Sequence, residues 1–226
     1  MEVTRGYAFV WKEEGFSGEE IRPALRRVLA DLSQGRQQEH EARKAMARAF
    51  ALETGMPDEM LWEPFLVPAE PMAWACLRPG GQWLAVNDNV TECGTSEPEA
   101  AMEAADSYAR AFGAPALVCG VYGSCFSTWA YVHPGMRLRA CRLGGRPAGY
   151  FGSCPREYRQ LPEFLCPFLT SEGVGELEKL WLKEFPQEED RLKAITALLG
   201  LALYDRDLEP PPAGTRLTWI QAEKHE

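Results

Sequence analysis

The chain reads ALVCGVYGSCFSTWAYVHPGMRLRACRLGGRPAGY from Ala116 to Tyr150, and this stretch decides the fold. Leu117 to Tyr122, Phe126 to Val132 and Met136 to Leu143 have the composition of three strands. Glycine and proline separate them, and Ala148 to Phe151 is a candidate for a fourth. Short connections join antiparallel neighbours, so we expect this stretch to form the middle of an antiparallel sheet.

Helical patterns lie on both sides of this stretch in the sequence. Residues 16–55 predict an N-terminal pair of helices, separated at Gly35. Residues 72–151 form a sheet-rich centre that contains one further helix, and residues 171–200 predict two C-terminal helices. We therefore predict a single α+β domain over residues 1–226, with a mainly antiparallel sheet and helices packed largely on one face.

Local signals predict where several elements begin. Tyr7 to Trp11 is a short apolar run typical of a strand. Ser17 and Glu20 have the spacing of a capping box, although Pro23 indicates that the regular helix begins a residue or two later. After three consecutive prolines, Arg216 to Ile220 predicts a last strand that returns to the sheet edge.

The composition of the 226 residues, 46% hydrophobic and 25% charged, is that of an ordinary globular protein. We find neither a signal peptide nor a membrane span, so we expect a cytoplasmic protein with no membrane partner. A net charge of -9 argues against general nucleic-acid binding, which needs a basic surface. The seven cysteines are an odd number and have no metal-ligand spacing, so we expect reduced thiols and no bound metal. The glycines match no nucleotide-binding motif, so we expect no cofactor.

Charge is distributed unevenly along the chain. Residues 53–106 carry eleven acidic side chains against Arg78 alone, whereas residues 114–160 carry six arginines against Glu157 alone. Arginine is enriched at interface hot spots and pairs with carboxylates through two hydrogen bonds, which indicates a protein-binding surface. The candidates for such a surface are four arginines and two carboxylates: Arg137, Arg139, Arg142, Arg146, Asp88 and Glu92. On a regular strand, Arg137 and Arg139 face one way and Arg142 faces the other.

One pair of residues, Cys125 and His133, has the chemistry of a catalytic nucleophile and its base. The two lie in successive hairpin turns, which are at opposite ends of the strand between them, so we expect them to be far apart. We therefore expect the protein to be non-catalytic. The alternative is a small-molecule-binding or hydrolytic enzyme with a site between the sheet and the helices, using Cys125, His133 or the arginines.

The order of these features resembles that of a known group of proteins. A hairpin with the strand GQWLAV, a capped helix, the strand pair in ALVCGVYGSCFSTWAYV and a terminal helix ending ITALLGL are similar to uncharacterised bacterial proteins often grouped with polymorphic-toxin immunity proteins. The resemblance covers roughly residues 72 to 203. It implies a cytoplasmic protein without enzymatic activity that binds another protein, such as a toxin or nuclease, through complementary charge.

Overall fold

The computed structural model describes residues 5–55, 71–77, 81–88, 98–122, 126–145, 161–201 and 218–223. Within these ranges the helices and strands follow in this order: β1 (Arg5–Trp11), α1 (Gly18–Thr54), β2 (Met72–Leu77), β3 (Trp83–Asp88), α2 (Pro98–Phe112), β4 (Ala116–Tyr122), β5 (Phe126–His133), β6 (Leu138–Gly145), α3 (Ser171–Leu182), α4 (Glu188–Leu198) and β7 (Thr218–Glu223). Two short 3-10 helices, Pro134–Met136 and Glu163–Phe168, precede β6 and α3. The described helices include no segment with the length and hydrophobicity of a membrane span.

The seven described strands join one antiparallel sheet in the order β6-β5-β4-β1-β3-β2-β7. Strands joined by short connections are neighbours, as predicted for β2 and β3 and for β4, β5 and β6. The predicted last strand is β7, which pairs with β2 at one edge of the sheet. The α+β class and the mainly antiparallel sheet are therefore confirmed, while the extent of one domain over residues 1–226 stays a prediction.

The strand at the centre of the sheet is β1, and our prediction that the stretch from Ala116 onward forms its middle was wrong. β1 lies between β4 and β3, whereas the strands of that stretch form one half of the sheet and end at the β6 edge. The reason is the continuous apolar run of β1, since Ala8, Phe9 and Val10 are all buried. A strand that buries consecutive side chains must be covered on both faces. The candidate strand at residues 148–151 lies outside the described residues.

Helices cover both faces of the sheet. The two longest helices, α1 and α2, share one face, where Leu25 and Ala105 pack in a core with Val118 of β4. On the other face, α3, α4 and the second 3-10 helix form a separate core that contains Leu177 and Trp129. Most helical residues thus lie on the α1 face, as predicted, but the C-terminal helices cover the opposite face because alternate residues of β4 and β5 are apolar on both sides.

The N-terminal helical pair that the sequence predicted is a single helix of 37 residues, α1. Gly35 does not break the helix: its neighbours on both sides are helical, and glycine in a helix costs only about 0.5–1 kcal/mol. The helix ends at Gly55, whose φ of 72° is left-handed. The expectation of a late start was also wrong: Pro23 lies inside the helix, and burial of the adjoining apolar face outweighs the one backbone hydrogen bond that proline removes.

Candidate functional site

The turn before β6 places Arg137 differently from the strand position that the sequence predicted. Residues Pro134–Met136 form a 3-10 turn, and the backbone N–H of Met136 donates a hydrogen bond to Nδ1 of His133 at 3.2 Å. Arg137 ends this turn with a left-handed φ of 51°, so β6 begins one residue later, at Leu138. The prediction that Arg137 and Arg139 share one face of a strand was therefore wrong for Arg137.

Arg139 and Arg142 face opposite sides of β6, as strand alternation predicted. Arg139 pairs in register with Val132, which belongs to the core under α1 and α2. Its guanidinium Nη1 lies 3.9 Å from Oδ1 of Asp106 in α2. Arg142 pairs with Trp129 and so lies on the face that the C-terminal helices cover.

The ion pair of Arg139 is part of a surface network that leaves its guanidinium accessible. The side chain of Arg139 is 52% exposed, and Asp106 also pairs with Arg110 at 3.5 Å. Arg110 in turn donates a hydrogen bond to Asp31 of α1 at 2.7 Å. Exposed pairs of this kind contribute about 0.2–1 kcal/mol, so a carboxylate from another molecule can replace Asp106 at small cost.

Two large apolar side chains are exposed beside these arginines. Met136 is 69% exposed and Leu138 is 39% exposed, and both belong to an unbroken exposed run from Gly135 to Arg139. We call Met136, Arg137, Leu138 and Arg139 the β6 edge surface. It combines positive charge with apolar area at the edge of the sheet, and both are typical of protein interfaces.

Arg142 contributes less to this surface because it is half-buried. Its Nη1 donates a hydrogen bond to the backbone carbonyl of Cys141 at 3.0 Å. Its Nε is buried and has no hydrogen-bond partner within the described part of the chain. One backbone acceptor of β6, the Cys141 carbonyl, is therefore bonded to a side chain of the same strand.

The acidic candidates do not join the β6 edge surface. Asp88 ends β3 in the interior, where it is 5% exposed and accepts a hydrogen bond from the hydroxyl of Tyr108. The prediction that Asp88 contacts a partner was wrong, because a buried carboxylate bonded to its own fold cannot reach another protein. Glu92 and Arg146 lie outside the described residues.

Of the predicted catalytic pair, the structure describes His133 only. Cys125 lies outside the described residues, but its neighbour Phe126 and His133 are at opposite ends of β5. Seven residues of strand at about 3.3 Å each separate these two positions by about 23 Å. His133 is engaged locally, since it accepts the hydrogen bond from Met136 and packs edge-on against Tyr131.

A buried polar network between the sheet and the C-terminal helices was not found from the sequence. Ser127 of β5 donates a hydrogen bond to Oε1 of Glu188 at 2.7 Å, and Nε1 of Trp129 donates one to the Ser127 hydroxyl at 2.8 Å. Arg191 lies 2.9 Å from Glu188 through its Nε and donates further hydrogen bonds to the carbonyls of Leu180 and Trp181. These contacts link β5, α3 and α4.

Burial decides the electrostatics of this network. The side chains of Arg191 and Glu188 are only 4% and 2% exposed. Burial raises the pKa of Glu188 above its ordinary value of 4.5, although the Arg191 guanidinium and the Ser127 hydroxyl oppose this shift. The Arg191 guanidinium also lies 5.3 Å from the centre of the Phe185 ring, an attractive cation–π distance. The polar atoms therefore satisfy one another.

Aromatic side chains fill the rest of the space on this face. Tyr131 stacks on Phe164 at a ring distance of 5.6 Å, and burial raises the pKa of its hydroxyl to about 12. Phe168 packs edge-on against Trp11 and Trp83 at 5.4 and 4.9 Å. This packing holds the 3-10 helix Glu163–Phe168 against the sheet.

The structure describes four cysteines, and none of these four forms a disulfide bond. Cys76 and Cys119 are buried and behave as small apolar residues, as predicted, whereas Cys141 and Cys166 are half-buried. Cys93, Cys125 and Cys154 lie outside the described residues. Within the residues that can be described, no group of three or more His, Cys, Asp or Glu side chains is placed to hold a metal ion.

We compared the chain with protein-family models, curated proteins and solved structures. The chain matches no protein-family model, no curated protein and no solved structure.

Proposed function

We propose that the chain is a cytoplasmic, non-catalytic protein-binding module that contacts an acidic partner through the β6 edge surface. The observation that carries this proposal is the exposure of Arg137 and Arg139 next to exposed Met136 and Leu138. Apolar side chains supply buried area when a partner binds, and arginines pair with its carboxylates. The combination favours a protein partner over a nucleic acid, since the whole chain carries a charge of -9.

The resemblance to polymorphic-toxin immunity proteins supplies a specific form of this proposal, in which the partner is a toxin or nuclease. The resemblance implies binding through complementary charge, which favours encounter with the correct partner. In this chain the arginines of the β6 edge surface have stronger support as the contact surface than the acidic segment, residues 53–106, does. In the acidic segment, residues 53–106, Asp88 is buried and Asp106 is paired with two arginines, whereas Glu53 and Glu103 are exposed.

The alternative, a small-molecule or hydrolytic site between the sheet and the helices, has weaker support. A hydrolytic serine needs a base that can take its proton and a path for the substrate. Ser127 does bond to a carboxylate, but Glu188 is held by Arg191 and both are buried behind Trp129 and Trp181. This arrangement is more typical of a structural network that joins a sheet to its helices.

Charge reversal on the β6 edge surface tests the proposed function. Arg137→Glu combined with Arg139→Glu replaces two exposed positive charges with negative ones while leaving the buried cores unchanged. We expect a protein that wild type captures from native cell extract to be lost from this variant. Repulsion between like charges at an interface opposes association, so the loss should exceed tenfold in the amount captured.

A matched variant on another surface controls for the change in net charge. Lys179→Glu combined with Lys183→Glu alters the charge by the same amount at the C-terminal end of α3, where Lys179 in the helix and Lys183 just after it are exposed. Capture should be unchanged in this control. Equal capture by wild type and by the arginine variant, with both proteins folded by circular dichroism, would contradict the proposed function.

A further inference from the structure

Two arginines from different elements share the carboxylate of Asp106. Its Oδ2 lies 3.5 Å from Nε of Arg110, one turn further along α2, and its Oδ1 lies 3.9 Å from Nη1 of Arg139 in β6. Each carboxylate oxygen therefore faces one guanidinium. The two arginines, although distant in sequence, lie close enough to hold a single carboxylate between them. We call Arg110, Arg139 and Asp106 the α2–β6 ion cluster.

A second carboxylate fixes the position of Arg110. Nη2 of Arg110 donates a hydrogen bond to Oδ2 of Asp31 in α1 at 2.7 Å, and the Ser107 hydroxyl donates one to the same oxygen at 2.6 Å. Both distances are typical of charge-assisted hydrogen bonds, whereas the contacts of Asp106 are longer. Asp31 can therefore keep Arg110 in place when Asp106 moves away from it.

The length of the two Asp106 contacts leaves room for a better acceptor. A carboxylate that approaches without constraint binds a guanidinium at about 2.7–2.9 Å. Asp106 is attached to α2 and reaches neither arginine that closely. The side chains of Arg110 and Arg139 are 60% and 52% exposed, so a carboxylate from another molecule can reach both.

Charge indicates the role of Asp106 in this cluster. The formal charges of Arg110 and Arg139 are cancelled by those of Asp106 and Asp31, so the cluster attracts an acidic partner less than two unpaired arginines would. We propose, on the basis of the proposed function, that Arg110 and Arg139 together bind one carboxylate of the acidic protein partner. Asp106 is then an internal competitor that occupies this place in the free protein. The contact surface thus extends from the β6 edge surface onto α2.

Peptides that bind at the β6 edge surface provide the probe for this proposal. A displayed library of short linear peptides is selected for binding to the full chain, and peptides that also bind the combined Arg137→Glu and Arg139→Glu variant are removed. We expect the remaining peptides to be acidic. If no peptide remains, or if the remaining peptides lack acidic residues, both this proposal and the proposed function are wrong.

Removal of the internal competitor should strengthen binding of a synthetic copy of a selected peptide. An exposed ion pair contributes little, so we expect Asp106→Asn to tighten binding by about two- to fivefold, measured by isothermal titration calorimetry. Glu103→Gln is the matched control, because it removes the same charge from an exposed position one turn earlier in α2, and its effect should be smaller. Partial unfolding weakens binding, so a gain in affinity cannot come from loss of structure.

Substitution of Arg110 supplies an independent test. Arg110→Gln removes a charge-assisted hydrogen bond to the peptide and should weaken binding by about tenfold, with folding checked by circular dichroism. Lys179→Gln, at an exposed position of α3, should have little effect. Asp106→Asn that binds no more tightly than Glu103→Gln, or binding that is independent of Arg110, would overturn this proposal. The proposed function would then still stand, because the selection already required Arg137 and Arg139.

Discussion

The Ser127 hydroxyl donates a hydrogen bond to the Glu188 carboxylate at 2.7 Å, across 61 residues of sequence. This contact joins the inner face of β5 to the first turn of α4. Arg191, one turn later, extends the connection to the carbonyls of Leu180 and Trp181 at the end of α3. The orientation of both C-terminal helices on the sheet therefore depends on one buried polar network as well as on apolar packing.

Removal of the cation from this network should destabilise the fold strongly. We expect Arg191→Leu to lower the free energy of unfolding by about 3–5 kcal/mol, because it leaves the Glu188 carboxylate buried without its partner. Two helix carbonyls also lose their donor. Unfolding in guanidinium chloride, followed by tryptophan fluorescence, measures the change. Glu176→Gln on the exposed face of α3 is the control and should leave the midpoint unchanged.

The double variant tests whether the pair itself causes the loss. Arg191→Leu combined with Glu188→Leu removes both buried charges, and apolar replacements of a buried pair are often tolerated. We expect the double variant to be more stable than Arg191→Leu alone. If the two substitutions instead have additive costs, the ion pair contributes no coupling energy and the network is not a unit.

The raised pKa of Glu188 predicts how the stability of the protein varies with pH. Because the folded protein holds this proton more tightly than the unfolded chain does, the contribution of Glu188 to stability is fully present below its ordinary pKa of 4.5 and is lost as the pH rises through the folded pKa. The Glu188→Gln variant has no titrating group at this position, so its stability lacks this pH dependence. We therefore expect the unfolding free energy of wild type minus that of Glu188→Gln to fall as the pH rises from about 4 to about 8, measured by denaturant unfolding. A rise of this quantity with pH would show that pairing with Arg191 outweighs burial.

Much of the sheet could be predicted from the sequence because strand and turn signals are local. The hairpins of β2 with β3 and of β4 with β5 follow from short connections rich in glycine and proline. The order of strands depends on pairing between distant segments, such as Ala8 with Val86 and with Val118. The continuous apolar run from Tyr7 to Trp11 is typical of a strand that is buried on both faces. Our sequence analysis predicted a strand there but not its central position in the sheet.

The buried network could not be predicted in the same way, because its members meet only in the folded chain. Ser127 and Glu188 are far apart in sequence, and a serine in a strand gives no sign of its partner. One signal was present. Glu188 and Arg191 occupy the same helical face as Leu192 and Ile195, at spacings of three, four and seven residues, so two charged side chains lie on the apolar face of α4. Charged residues at such positions are rarely buried unless they pair.

The continuity of α1 predicts that alanine at position 35 is stabilising. Gly35 lies in the interior of the helix, and a β-carbon there would meet no atom within 4 Å. Gly35→Ala should therefore raise the free energy of unfolding by about 0.5–1 kcal/mol. The control is Gly55→Ala, where the left-handed φ of 72° should make alanine destabilising. A loss of stability in Gly35→Ala would instead support the helix break that the sequence pattern predicted.

The close approach of β6 to α3 predicts the opposite result at position 144. A β-carbon on Gly144 would lie 2.9 Å from Cη2 of Trp181 and 3.3 Å from the Ser127 hydroxyl, inside normal contact distance. Gly144→Ala should cost about 1–3 kcal/mol in unfolding free energy, because the indole ring must move against a packed core. Gly175→Ala, in open space on α3, is the matched control and should show no loss. If the indole causes the cost, Gly144→Ala should lose less stability in a Trp181→Phe background than in wild type; an equal loss in both backgrounds would assign the cost to the strand backbone or to Ser127.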